Sequence, residues 1–201
     1  MSTSQSSTQF PAFGNGDLAV VRVEGPGICR ESGRFEMLLE RLEGGGYATL
    51  VLDLSACPRV DSTFAGVLLR LATRVQKLVP GRKPLRVALC GVNGTVGELL
   101  ETLCVRHRFA EVDPGGLATL KSLSVPDENL SKEGILRLSL EGHEQLASLN
   151  DANARRFAAL LPMLRAELEK LEGGANPAAA SSAAGNGASD NPCPSVPETA
   201  G

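Results

Sequence analysis

Val51-Leu-Asp-Leu-Ser-Ala-Cys-Pro-Arg-Val-Asp-Ser-Thr-Phe-Ala-Gly-Val-Leu-Leu-Arg70 is the stretch on which the fold turns. Its start belongs to a nearly continuous apolar run, Thr49 to Leu54, which suits a central strand covered on both faces. Its end reads as a helix, because Phe64, Val67, Leu68, Leu71, Val75 and Leu78 recur on one side. Between them Asp61, Ser62 and Thr63 form the joint. Asp61 or Ser62 can accept from a free backbone N–H as N-cap. Capping needs only one such side chain, so at least one hydroxyl is expected to face solvent at the helix N-terminus.

Working outward, Phe10-Pro-Ala-Phe13 reads as a short strand that Pro11 would confine to a sheet edge. Gly14-Asn-Gly-Asp17 is a turn, and Ala19 to Val23 a strand closed by Gly25-Pro-Gly27. Phe35, Leu38, Leu39 and Leu42 mark a helix face, with Ser32 as its expected cap and Gly44-Gly-Gly46 as its end. Downstream, Pro80-Gly81 stops the helix of the opening stretch, and Leu85 to Cys90 is a further strand. Asn93 or Thr95 can cap a helix with Val96, Leu99, Leu100 and Leu103 inside, before a last short strand at Phe109 to Val112, ended by Asp113-Pro-Gly-Gly116. The order β-β-α-β-α-β-α-β implies an α/β domain with a mostly parallel or mixed sheet covered by helices.

Four segments follow: a disordered leader at 1–8, the α/β domain at 9–115, a helical extension at 116–172 and a disordered Ala/Gly/Ser/Pro tail at 173–201. The extension holds a weak strand signal at Leu120 to Val125. A helical run then reaches Glu172, with Phe157, Leu160, Leu161, Leu164, Leu168 and Leu171 on one face. Pro162 predicts a kink or two abutting helices there. Two readings of this apolar stripe stand: a helix folded back on the sheet domain, or one that binds a partner or a second copy as a homodimer.

Composition removes several function classes. Of 201 residues 42% are hydrophobic, enough for a core, and the net charge of -3 argues against direct nucleic-acid binding. No apolar run approaches the length of a membrane span, so no membrane insertion is expected. Five cysteines without Cys-x-x-Cys spacing suit reduced thiols of a cytoplasmic protein rather than a disulfide frame or a metal site. No cofactor motif occurs. Gly91-Val-Asn-Gly-Thr-Val-Gly97 lacks dinucleotide spacing and reads as a turn with a cap. His107 and His143 stand apart from any metal-ligand set and read as packed or surface residues. With no base identifiable for Ser62, no enzyme is expected.

A phosphate on Ser62 would add about -1.5 to -2 charges beside a helix N-terminus, where the dipole and free N–H groups tolerate anions. The fold would survive, whereas a facing acidic or apolar partner surface would not keep its contact. Asp61 would add like-charge strain.

Leu50-Val-Leu-Asp-Leu-Ser55 followed by Val60-Asp-Ser-Thr-Phe-Ala-Gly-Val-Leu68 resembles the STAS domain of anti-sigma-factor antagonists and sulphate transporters, with its Asp-Ser-Ser/Thr-x-x-Gly motif after the central strand. The resemblance implies a non-enzymatic regulator in a bacterial partner-switching pathway. Ser62, or alternatively Thr63, would be phosphorylated by an anti-sigma-type Ser/Thr kinase and released by a Ser/Thr phosphatase. Asp61, Ser62, Thr63, Phe64, Gly25 and Pro26 would meet the partner, and Gly66 would let the helix pack closely. Phe64 stands where many members have Gly, and Gly25-Pro-Gly-Ile28 replaces an acidic Gly-Glu-Leu-Asp. The alternative is a STAS-like scaffold or accessory subunit of a lipid-transport or signalling complex that binds partners without phosphorylation.

Overall fold

A computed structural model describes residues 7–76, 84–113 and 120–174. Most of the leader, the Pro80-Gly81 stop, the Pro114-Gly-Gly116 turn and residues 175–201 lie outside the described residues.

Six strands form one sheet in the order β5-β4-β3-β2-β1-β6. They are β1 (Ala12–Asn15), β2 (Leu18–Arg22), β3 (Thr49–Asp53), β4 (Arg86–Cys90), β5 (Ala110–Glu111) and β6 (Lys121–Leu123). β2 to β5 run parallel, and β1 is antiparallel to both β2 and β6. β1 and β2 join through a two-residue turn at Gly16 and Asp17, where Gly16 has φ +57°, a conformation that favours glycine.

Pro11 therefore does not mark an edge. It precedes the first ladder residue of β1, so its missing N–H costs the sheet no bond, while its carbonyl still accepts from Arg22 N at 3.0 Å. The edge falls to β6.

Three helices follow the parallel strands: α1 (Cys29–Gly44), α2 (Ser62–Gln76) and α3 (Gly94–Thr102). Alternate strand residues, among them Val21, Leu50, Leu52, Leu54 and Leu89, bury against the helices' apolar faces in one core. On the opposite face the buried apolar side chains among the described residues are Val20, Val51, Ala88 and Cys90, packed with Phe13, Leu18 and Leu120. The apolar run of β3 thus serves two unequal clusters rather than two helical layers. On the lesser face Asp53 is 2% exposed and accepts from Arg22 Nε at 2.8 Å. Burial opposes its charge, but hydrogen bonds from Ser55 and Arg22 hold its carboxyl below the usual carboxylate range.

The extension contributes β6, at the place of the weak strand signal, to the sheet, followed by three helices, α4 (Lys132–Ser148), α5 (Asp151–Phe157) and α6 (Leu160–Gly174). Ser131 caps α4 through Gly134 N and Asn150 caps α5 through Asn153 N. Breaks fall at Leu149-Asn150 and Ala158-Ala159; the second gives the two abutting helices expected at Pro162, which has no N–H for Ala158 O and whose ring would clash with that carbonyl in a continuous helix. Pro162 sits in the first turn of α6, where backbone N–H groups have no intrahelical acceptor to lose. Leu138, Leu146 and Phe157 join the main core, so the extension folds back on its own domain.

Candidate functional site at the start of α2

The joint after β3 is built by two loops. The β2–α1 loop (residues 23–28) lies against the β3–α2 loop (residues 54–61) through a parallel bridge between Gly27 and Val60. Gly25 N donates to Ala56 O at 3.1 Å and Gly27 N to Arg59 O at 3.0 Å. Gly25 holds φ +116°, with Thr8 3.0 Å from where a Cβ would stand, and Thr8 Oγ1 donates to Pro26 O. Gly25 and Pro26 are thus half-buried neighbours of the joint.

Asp61 caps two helices at once. Its Oδ1 accepts from Phe64 N at 2.9 Å, closing the first turn of α2. Its Oδ2 accepts from Cys29 N at 2.7 Å, satisfying the first N–H of α1. That second bond explains why α1 starts a turn before Ser32. Ser32 is buried inside the helix and donates to Ile28 O, and the cap position, Ile28, has no capping side chain.

Phe64 faces the core. It is 0% exposed and stacks on Phe35 with centroids 4.5 Å apart. A Cβ at Gly27 would stand 2.8 Å from the Phe64 ring, so the bulky residue in α2 is matched by an absent side chain in the loop above it. Its side chain is not placed to touch a partner, because a ring of this size at the third helical position finds its room in the core.

The hydroxyls are not free either. Ser62 Oγ lies 2.8 Å from His143 Nε2, and Thr63 Oγ1 lies 3.3 Å from Ser139 Oγ, both partners on α4. The tautomer follows from the other ring nitrogen. His143 Nδ1 is 2.7 Å from Ser139 O, a carbonyl that can only accept, so Nδ1 carries the proton. Nε2 is then the acceptor, and Ser62 Oγ–H donates to it. His143 is 2% exposed and packs edge-on against Phe157 at 4.9 Å. Burial pushes its pKa below the usual histidine value, against the Ser139 carbonyl and Asp61, which favour the charged form. Thr63 is 6% exposed, while Ser62 is half-buried. Burial also pushes the neighbouring Cys29 thiol up, with a hydrogen bond from Thr63 acting the other way.

Gly66, one turn on, meets Gly142 of α4. A Cβ on Gly66 would stand 2.9 Å from Gly142 Cα, and one on Gly142 3.2 Å from Gly66 Cα. Arg70 then reaches Glu141 of α4 and Glu36 of α1.

The structure therefore brings Asp61, Ser62, Thr63, Gly25 and Pro26 together and turns Phe64 inward. His143, read as packed or surface, is packed, yet it also binds the central hydroxyl. The expected lack of any base near Ser62 does not hold, since His143 Nε2 is in place to accept its proton. The only trace in the sequence was the spacing Ser139, Gly142, His143, Leu146, one helix face carrying small and polar groups. Among the described residues no group of side chains is arranged to hold a metal ion, and no helix is long and apolar enough to cross a membrane.

A mixed, mostly parallel sheet with helices on its main face, and a hydroxyl-bearing helix start after the central strand, define the class. The sequence profile of the STAS domain matches residues 10–115, more than half of the chain, and the chain belongs to that family. Solved structures similar to it include a candidate anti-sigma factor antagonist from Thermotoga maritima. That crystal structure is 18% identical, covers 54% of this chain and 90% of its own, and has a TM-score of 0.47. A second, an anti-sigma factor antagonist from Mycobacterium paratuberculosis, is 17% identical over 54% of this chain and 88% of its own, with a TM-score of 0.44. No curated protein matches the sequence.

Proposed function

We propose that this STAS protein is a non-enzymatic regulator of the anti-sigma-factor-antagonist type, a cytoplasmic member of a bacterial partner-switching pathway. Ser62 is its phosphoacceptor, modified by an anti-sigma-type Ser/Thr kinase and restored by a Ser/Thr phosphatase.

The observation that carries this reading is the position of Ser62 as first residue of α2, beside a cap that Asp61 alone completes. The Ser62 hydroxyl is thereby spared for other work, and a phosphate on it would meet the free N–H groups of the helix start. Thr63 ranks second, because its hydroxyl is buried against Ser139. The polar joint and the Gly25-Pro26 loop beside it form one surface that a partner could read, and a dianion there would repel an acidic or apolar partner.

The Ser62–His143 hydrogen bond supports a second reading, a STAS scaffold that holds a partner without phosphorylation. Mass spectrometry of the full chain from its native cell separates the two. Phosphate on Ser62 that disappears in Ser62→Ala supports the switch. Unmodified Ser62 and Thr63 in every growth condition favours the scaffold.

A further inference from the structure

The hydrogen bond between Ser62 and His143 joins two parts of the chain. Ser62 lies within the residues that the STAS profile matches, and His143 lies on α4, outside them. The contact is fixed from both sides. Asp61 closes the first turn of α2 beside Ser62, and the imidazole is oriented by its own Nδ1–H on Ser139 O at 2.7 Å. Gly66 and Gly142 set the separation of the two helices, since a Cβ on either would stand 2.9 or 3.2 Å from the other's Cα.

In the unmodified chain Ser62 Oγ–H donates to Nε2 at 2.8 Å, and the imidazole needs no charge. A phosphate dianion on Ser62 has no proton to donate, because its oxygens only accept. It would face Nε2 acceptor to acceptor unless the ring took up a proton. One proton from solvent makes Nε2 a donor and leaves Nδ1–H on the Ser139 carbonyl, so the ring stays where it is. Ser62 is half-buried, and a turn about its Cα–Cβ bond toward the open side brings a phosphate oxygen to the place of Oγ. The backbone N–H groups of Ser62 and Thr63, first in α2, have no acceptor within the helix and add donors there.

The other charges nearby are already committed. Asp61 acts on the ring at longer range, but its two oxygens accept from Phe64 N and Cys29 N. Arg70, two turns along α2, is held by Glu141 and Glu36.

We propose that His143 is the chain's own receptor for a phosphate on Ser62, pairing with it as an imidazolium, so that α4 binds the modified site in cis. The biological use of this pair rests on the phosphoacceptor reading; the pairing itself rests on the geometry of the site. A partner would then meet a phosphate that is partly neutralised and tied to α4, not a bare dianion.

The test needs no kinase. Phosphoserine is placed at position 62 of the full chain during translation, and the chain is titrated by phosphorus and imidazole-nitrogen NMR. The phosphate is expected to release its second proton at least about tenfold more readily than free phosphoserine, whose second pKa is about 6. His143 is expected to hold its proton at least about tenfold more tightly than in the unmodified chain. The chain has two histidines, and exposed His107 serves as the reference that does not shift. In His143→Gln the phosphate is expected to titrate as free phosphoserine. In Arg59→Ala, which removes the exposed cation of the β3–α2 loop, it is expected to keep its shift.

A phosphate shift that survives His143→Gln, or that Arg59→Ala abolishes equally, overturns the proposal. So does a phosphate that titrates freely in the unsubstituted chain. A phosphorylated chain that no longer folds also overturns it, because the site then has no place for the dianion. If His143→Gln fails to fold, the His143 resonance of the phosphorylated chain decides: an unchanged proton affinity counts against the pair. Ser62 found unmodified in the native cell would sink the phosphoacceptor reading and leave these shifts as measured. Phosphate found there, with no pairing in this titration, would sink the present proposal alone.

Discussion

Two joints in this molecule have the same local build and different surroundings. After β3, Asp61 accepts from Phe64 N, three residues on; after β4, Asn93 accepts from Val96 N, also three residues on. Both place small residues at the start of a helix that follows a parallel strand. At the start of α3, however, Gly94 and Thr95 are exposed, and a Cβ on Gly94 would meet nothing within 4 Å. At the start of α2 the hydroxyls bond to α4, the cap carboxylate also holds α1, and the third residue is a phenyl ring in the core. The cap is a generic device. What makes one joint a candidate site is the set of elements that converge on it.

The largest effect that separates the joints belongs to their third residues. Phe64→Ala removes a fully buried ring stacked on Phe35, and a loss of about 3–5 kcal/mol is expected. Val96→Ala at the matching place in α3 deletes two methyl groups and costs about 1–2 kcal/mol at roughly 0.8 kcal/mol per buried carbon. Urea denaturation of the two variants measures both. Equal losses would mean that the convergence of α1 and α2 at Phe64 adds nothing to stability.

Next come the caps. Asp61→Ala leaves two helix starts without their acceptor, and about 2 kcal/mol is expected, roughly 1 for each orphaned N–H. Asn93→Ala removes one cap, for about 1 kcal/mol. It also removes the donor to Cys57 O at 2.6 Å, a carbonyl whose loss is the milder one. Thr95→Ala, on the open side of the second joint, is expected to stay within about 0.5 kcal/mol. A ratio near one between Asp61→Ala and Asn93→Ala would show that the Asp61–Cys29 bond contributes nothing.

The comparison also shows what could be read from residues alone. The alternation of strands and helices was legible because each strand is short and the stripes that begin at Phe35 and Phe64 run out at Gly44-Gly-Gly46 and Pro80-Gly81. Asn93 as a cap was legible for the same local reason. Three features were not, and each depends on a distant partner. Ser32 lost the cap of α1 to Asp61, which lies 29 residues further on. Pro11 pointed to an edge, but β6 arrives from beyond residue 120 to cover β1. His143 shares a helix face with Ser139, Gly142 and Leu146, but nothing in the sequence joins that face to Ser62; the packing of Gly142 on Gly66 brings it there. The Asp-Ser-Thr joint was therefore visible as a hydroxyl at a helix start, while its cover was not.

The smallest effect sharpens the contrast most, because a buried imidazole meets the hydroxyl at the start of α2, whereas Thr95 at the start of α3 is exposed. His143 is held neutral, with Nδ1–H on the Ser139 carbonyl and Nε2 accepting from Ser62. Its folded-state pKa lies below the ordinary 6.5, chiefly through burial. The unfolded chain therefore binds the proton more readily, and stability falls as pH drops below about 6.5, through the window down to the folded-state value. The groups that face the ring are Ser62, Ser139, Phe157 and, at longer range, Asp61, whose charge narrows the window without closing it. Denaturation midpoints measured from pH 7.5 to about 5 are expected to decline less in His143→Gln than in the wild type. In Ser62→Asp a carboxylate stands beside the imidazole and favours its charged form, so the decline from this ring is expected to shrink or reverse. An unchanged slope in both variants would mean that His143 titrates as freely as an exposed histidine, which its closed contact with Ser62, Ser139 and Phe157 does not allow.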